Sequence, residues 1–223
     1  MSSLRTTTSL GSSPIVDAVR PAVDDSLATG ADVSLSPNAD DRRGYFVQVA
    51  LEQWAESGYH SVTMRNVAGR SEFSHGLLSY YFGSREQLVR ECLDFSCRSL
   101  ADSFAQVPAG PLSVDEVAHE IAGSVIEREV HHRVRLDLRN LAMFDETGAE
   151  FSESCDGAYE ASLGALLGRI TDENGQAAFT VDATVHTAID GLVRRQLSEH
   201  APPMVEDGLL EEELVRLLNA LAD

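Results

Sequence analysis

From Val47 to Leu221, apolar residues recur at three- and four-residue intervals, with no convincing alternation, a pattern that confines the chain to packed helices. Asp40 and Asp41 can cap a first helix with the stripe Val47, Ala50, Leu51 and Trp54, and Gly58 stands where a C-terminal cap belongs. Thr63 opens a short second helix carrying Met64, Val67 and Ala68. After the break Ser71-Glu72-Phe73, Ser74 opens a third with Leu77, Leu78 and Tyr81, ended by Gly83. Ser84-Arg85-Glu86-Gln87 reads as a capping box for a long fourth helix with Leu88, Cys92, Ser96, Leu100 and Phe104, ending before Pro108. A second box, Ser113 to Glu116, opens a fifth helix lined by Val117, Ile121 and Val125. Further helices are expected near 133–144, near 150–170 with Tyr159 and Leu163 inward, from a Thr180 cap through Val185, Ile189 and Val193, and finally over Leu210, Leu214 and Leu218. The expected class is all-α: a compact front of short helices and a bundle of longer ones.

The organisation that follows is a disordered N-terminal arm over residues 1–39, a small domain over 40–86 and a larger one over 87–223. The arm is rich in Ser, Thr, Ala, Pro and Asp, with no sustained period. No apolar leader opens the chain and no apolar run approaches the roughly 20 residues of a membrane helix, so a cytoplasmic protein without a membrane partner is expected. Cys92, Cys97 and Cys155 fit neither a disulfide framework nor zinc-ligand spacing, and are expected as reduced, core-filling thiols. No cofactor or metal is expected.

A formal net charge of −19 argues against nucleic acid, because phosphates repel acidic surfaces. Its distribution argues otherwise. Residues 41–90 carry six arginines and five acids, a net of +1, while 1–40 carry −3 and 91–223 carry −17. The first folded segment is the only one suited to face a phosphate backbone.

Two short helices joined by a tight turn, followed by a basic helix start, form a helix-turn-helix. Ser74, His75, Gly76 and Ser79 are small or polar enough to reach base edges from the second short helix. Arg65 and Arg85 add charge beside the helix starts at Thr63 and Ser84, and Tyr80 and Tyr81 supply hydroxyls for the DNA backbone.

The stretch Thr63-Met64-Arg65-Asn66-Val67-Ala68, then Ser74 through Leu88, resembles the TetR family of repressors, with Ala50-Leu51 to Gly58-Tyr59 similar to that family's first helix. The resemblance spans about residues 43–95. It implies phosphate contacts at Thr63, Arg65 and Arg85, and a recognition-helix start at Ser74, His75, Gly76 and Leu77. Two departures stand out: Ser79 replaces the family's usual Tyr, and Glu72 replaces its turn glycine, where a left-handed backbone would cost roughly 1 kcal/mol. Ser79 within Leu77-Leu78-Ser79-Tyr80-Tyr81-Phe82-Gly83 looks like the BetI-like branch.

The resemblance further implies a ligand pocket among the later helices, a homodimer through the last two, and an unknown small-molecule effector that releases a palindromic double-stranded DNA operator. Arg135 and Arg139 can hold a carboxylate or be solvated, ion-paired charges; Phe144 and Tyr159 can line an apolar cavity or fill the core. His186 and Asp190 read as pocket or interface residues, with interface preferred. Two other classes compete. A di-metal carboxylate enzyme needs two Glu-x-x-His motifs, and only Glu116 to His119 supplies one. A helical dimerisation or antirepressor protein without DNA binding is favoured slightly by Glu72, Ser79 and the acidic total.

Overall fold

The computed structural model describes residues 37–144, 146–172, 174–199 and 208–222. The expected arm over 1–39 lies outside them except for its last three residues, which are helical. Nine α-helices run among the described residues: α1 (Pro37–Ser57), α2 (Met64–Arg70), α3 (His75–Phe82), α4 (Arg85–Ala101), α5 (Val114–Glu127), α6 (Glu129–Ala142), α7 (Glu146–Leu167), α8 (Ala183–Glu199) and α9 (Leu209–Ala222). A single 3₁₀ turn, Tyr59–Ser61, joins α1 to α2. Extended pairing is limited, among those residues, to isolated bridges such as Leu112 with Ile170. The all-α expectation holds.

The caps follow the local chemistry. Thr63, Ser74, Ser84 and Ser113 each accept a backbone N–H three residues on, satisfying donors that the first helical turn leaves open. Only Ser113 completes its box, with Glu116 returning to the Ser113 N–H. Gly58 (φ 78°) and Gly83 (φ 67°) end α1 and α3 in conformations an L side chain resists. At α8 the expectation is corrected: the helix starts at Ala183, and Asp182 Oδ1 accepts from the N–H groups of Thr184 (2.8 Å) and Val185 (3.2 Å). A carboxylate adjoining the first turn outcompetes the more distant Thr180 hydroxyl.

The break between α2 and α3 dispenses with a left-handed residue: no described non-Gly residue, Glu72 included, has positive φ. Ser71 takes the glycine's part. Its hydroxyl accepts from the Phe73 N–H at 3.2 Å, and the Glu72 N–H donates to the Tyr45 hydroxyl at 3.2 Å.

Two apolar cores meet on α4. Phe46, Leu51, Trp54, Val67, Leu78 and Phe82 of the front helices pack with Leu88, Val89, Cys92 and Leu93, while Leu100 joins a second core built from α5, α7, α8 and α9. The front core also takes Val134 and Leu138 from α6, so it extends well past residue 86. The cysteine expectation is corrected here. Cys97 on α4 and Cys155 on α7 form a disulfide, with Cα atoms 5.1 Å apart, and Cys92 is the buried free thiol. Fifty-eight residues separate the pair, so only the packing of α4 on α7 could reveal it.

Candidate functional site

The front helices present α3 outward. Ser74, His75 and Gly76 are exposed at its start, Tyr80 is 81% exposed, and Arg65 is exposed on α2. Ser79 Oγ lies 3.4 Å from His75 Nδ1, one turn apart. Opposite this surface, Leu78 and Phe82 are buried, and Leu77 and Tyr81 lean against the same core. Leu77 is therefore as much a packing residue as a surface one. The Tyr81 carbonyl accepts from Arg43 Nη1 at 3.0 Å.

Arg85 is bonded within the chain. Its Nε donates to the Val62 carbonyl (2.5 Å), Nη1 to the Tyr59 hydroxyl (2.9 Å) and Nη2 to the Tyr59 carbonyl (3.1 Å), and the guanidinium lies 4.3 Å above the Tyr59 ring. With its nitrogens turned inward, it ties the start of α4 to the 3₁₀ turn. Other front arginines are also engaged internally: Arg43 pairs with Glu91, and Arg70 with Glu56.

On the far side of that turn stands a residue whose role sequence reading does not find. Asp137 of α6 accepts from Trp54 Nε1 and from the Tyr59 N–H through one oxygen, both at 2.8 Å. The chain α6, Asp137, Trp54 and Tyr59, Arg85, α4 is a continuous polar link between the two halves of the molecule. Its one visible signal is an acid between Arg135 and Arg139 on a helix otherwise rich in core positions.

Among the larger bundle's helices, Arg135 is 3% exposed, with Nε 2.5 Å from Asp156 and Nη2 2.9 Å from Asp190. Arg139 pairs with the same two carboxylates at 3.2 and 2.6 Å. Burial opposes the Arg135 charge, but Asp190 and Asp156 outweigh it and hold its pKa above the usual value. Its guanidinium lies 4.7 Å above the Tyr159 ring, whose edge meets His132. Arg135 Nη1, the Tyr159 hydroxyl and both His132 nitrogens are buried without a hydrogen-bond partner. Burial pushes Tyr159 up to about 12 and His132 down to about 3, so both are neutral near pH 7. Phe144, expected to line an apolar cavity or fill the core, is 86% exposed. His186 packs beside Gly164, while Asp190 belongs to the arginine cluster rather than to an outer face.

Residues 46–92 match the family model for bacterial regulatory proteins, tetR family. The matched segment takes in most of α1, all of α2 and α3, and the first part of α4. Three mycobacterial relatives, among them the HTH-type transcriptional repressor Rv3405c of Mycobacterium tuberculosis and the HTH-type transcriptional regulator Mb3439c of Mycobacterium bovis, are 28% identical over 124 residues. That match spans 54% of this chain and 62% of theirs. A Rhodococcus sp. TetR-family regulator of known structure has a TM-score of 0.61 at 15% identity, covering 82% of this chain and all of that one. A transcriptional regulator from Saccharomonospora viridis in complex with choline gives 0.55 at 13%, covering 81% and 95%. At such identities the likeness establishes the fold. The family-model match falls on the front helices, and the relatives are named as transcriptional regulators. Among the described residues, no cluster of three His, Cys, Asp or Glu side chains could hold a metal ion, and no helix is long and apolar enough to cross a membrane.

Proposed function

We propose that the chain is a transcriptional repressor that binds a palindromic operator as a homodimer and is released by a small-molecule effector. The observation that carries this reading is the coincidence of the TetR-type motif over 46–92 with an outward α3 whose start is free of core contacts at His75 and Gly76. In this reading His75 meets a base edge, Gly76 allows close approach, Ser74 and Ser79 flank them, and Tyr80 and Tyr81 offer hydroxyls to the DNA backbone. Arg65 supplies phosphate charge beside Thr63. In this reading Ser79 supports a likeness to the BetI-like branch.

Dimerisation is assigned to α8 and α9. Gly191 and Leu192 on α8, and Leu217 and Leu221 on α9, lie on faces left half-covered by the rest of the chain. Packed against a second copy, they would form a four-helix seam that sets two recognition helices about one turn of DNA apart.

The effector site is assigned to Arg135, Tyr159 and His132, with Arg139 at its rim. An open cleft of about 630 Å³ between α6 and α7 reaches Arg139 and Asp156. Four buried polar atoms without partners favour a hydrogen-bonding occupant, and the free guanidinium nitrogen favours a carboxylate or carbonyl oxygen. A quaternary ammonium such as choline fits poorly, because Arg135 already covers the Tyr159 face that a cation would use. Occupancy would shift α6, and Asp137 would pass that shift to Trp54, Tyr59 and Arg85. The effector can move the equilibrium only by its differential affinity for the two states.

The test is selection of genomic fragments by the purified protein, then titration of the enriched sequence at two salt concentrations. A palindrome bound by a dimer supports the reading. No binding at low salt by a folded dimer overturns it in favour of an interaction protein.

A further inference from the structure

The Cys97–Cys155 disulfide sits at the seam of the two cores. Four positions before Cys97, Leu93 still packs with the reader; three positions after it, Leu100 packs with the bundle. α4 therefore runs along its length from one core into the other, and the crosslink joins it to α7, whose Tyr159, Leu163, Leu166 and Leu167 belong to the bundle core. The first half of α4 is bound to the reader by Arg85 and by Glu91, which pairs with Arg43. Locking α4 at Cys97 thus restrains an element through which reader and bundle can move relative to one another. Access is graded in the way such a site needs: Cys97 is half-buried, whereas Cys155 is 3% exposed and Cys92 fully buried. Burial also pushes the Cys92 thiol up, away from reactive thiolate.

We propose that Cys97 and Cys155 form a redox modification site, a dithiol oxidised by hydroperoxides, whose state sets the freedom of α4 and hence operator affinity. Cys97 attacks the terminal oxygen of ROOH and becomes a sulfenic acid, releasing ROH. The Cys155 thiol then attacks that sulfur, the S–S bond forms and water leaves. Two thiols and one hydroperoxide give one disulfide, one alcohol and one water, with two electrons passing from sulfur to the peroxide. A thiol reductant returns them. The regulatory rather than static reading rests on the DNA-binding assignment above: bacterial DNA lies in a reducing compartment, where protein disulfides are transient and sensing.

Three measurements on the full chain test this. Reduced protein is treated with stoichiometric hydrogen peroxide, and thiols are trapped and mapped by mass spectrometry. The expected product is a Cys97–Cys155 crosslink with Cys92 still free, reversed by dithiothreitol; persistence of both thiols overturns the proposal. Hydrogen exchange of the two forms is then compared. Oxidation should slow residues 85–93 and 59–62 about threefold or more, a local-stability readout independent of DNA. Finally, operator affinity should differ about fivefold or more between the forms, and the C97A/C155A variant should bind like reduced protein and ignore peroxide. Exchange confined to the turns around 97 and 155, with unchanged operator affinity, identifies a static staple and overturns the proposal. If no form binds DNA, the repressor reading fails separately, and reader exchange alone decides the redox site.

Discussion

Replacing Asp137 by Ala should uncouple the two halves at a cost calculable from the structure. One carboxylate oxygen holds Trp54 Nε1–H and the Tyr59 N–H, each at 2.8 Å. Trp54 is 1% exposed and Tyr59 3%, so water cannot readily replace the missing acceptor. A hydrogen bond to a charged acceptor contributes about 1.5–3 kcal/mol, and an abandoned buried donor retains its desolvation penalty. Two donors sharing one oxygen put the loss at about 3–5 kcal/mol, a large part of the 5–15 kcal/mol typical of a folded domain. Asp137→Asn keeps an acceptor oxygen and should lose only about 1–2 kcal/mol. The assay is urea unfolding followed in parallel by far-ultraviolet circular dichroism and by fluorescence of Trp54, the only tryptophan. In the Ala variant the fluorescence transition should move to lower urea ahead of the dichroism transition, because Asp137 is what fastens the Trp54 indole to α6. A loss below about 1 kcal/mol, with both transitions still coincident, would refute the assignment of Asp137 as the link.

Arg65→Ala should reduce the slope of log affinity against log salt by about one per protomer, whereas Arg85→Ala should leave the slope unchanged and lower stability by about 2 kcal/mol; operator titrations at several salt concentrations, with urea melts, separate the two. Burial lowers His131 to about 4 and His132 to about 3, from an ordinary 6.5. Below pH 6.5 the unfolded chain takes up protons that the folded chain refuses, so this contribution to stability is full above 6.5 and is lost as pH falls toward 4. His132→Gln should narrow its stability gap to wild type by about 1.4 kcal/mol per pH unit across that window, read from urea melts at pH 7, 6 and 5; a gap independent of pH would contradict the burial. Gly83→Ala places a Cβ with nothing within 4 Å but forces φ 67° on an L residue, so thermal unfolding should show a loss of about 1–2 kcal/mol from backbone strain alone.

Local chemistry is legible in the sequence and distant chemistry is not. The stripes, the Ser and Thr caps and the stops at Gly58 and Gly83 act within a few residues, so periodicity and spacing find them. The start of α8 escapes because Thr180 and Asp182 are both competent caps, and the choice between them depends on where Val181 meets the core. Ser71 and Tyr45 escape as supports for the glycine-free turn because Tyr45 comes from α1, 27 residues away. The bundle is legible only as chemistry in waiting. Arg135 and Tyr159 are drawn together, whereas Phe144 faces solvent. Neither Asp156, 21 residues from Arg135, nor Asp190, 51 from Arg139, can be matched to its arginine by spacing. The Cys97–Cys155 pair escapes for the same reason.

The arginines of the reader show why counting charge and locating charge are different arguments. Six arginines between residues 41 and 90 suggest a basic face, yet Arg43, Arg70 and Arg85 spend their charge on Glu91, Glu56 and the Tyr59–Val62 backbone. Arg42 lies 5.6 Å over the Phe73 ring, which leaves it near the surface, and Arg65 is exposed. Few cations therefore remain to displace counterions, while the −17 of residues 91–223 repels phosphate from other faces. Such a reader would gain little from non-specific attraction and must draw its affinity from base-edge and hydrogen-bonded contacts at α3. Two consequences are linked: a shallow salt dependence for operator binding, and weak binding to unrelated DNA even at low salt. A steep dependence would mean that the internal ion pairs open on DNA, and Glu91 and Glu56 would then be the residues whose neutralisation strengthens binding.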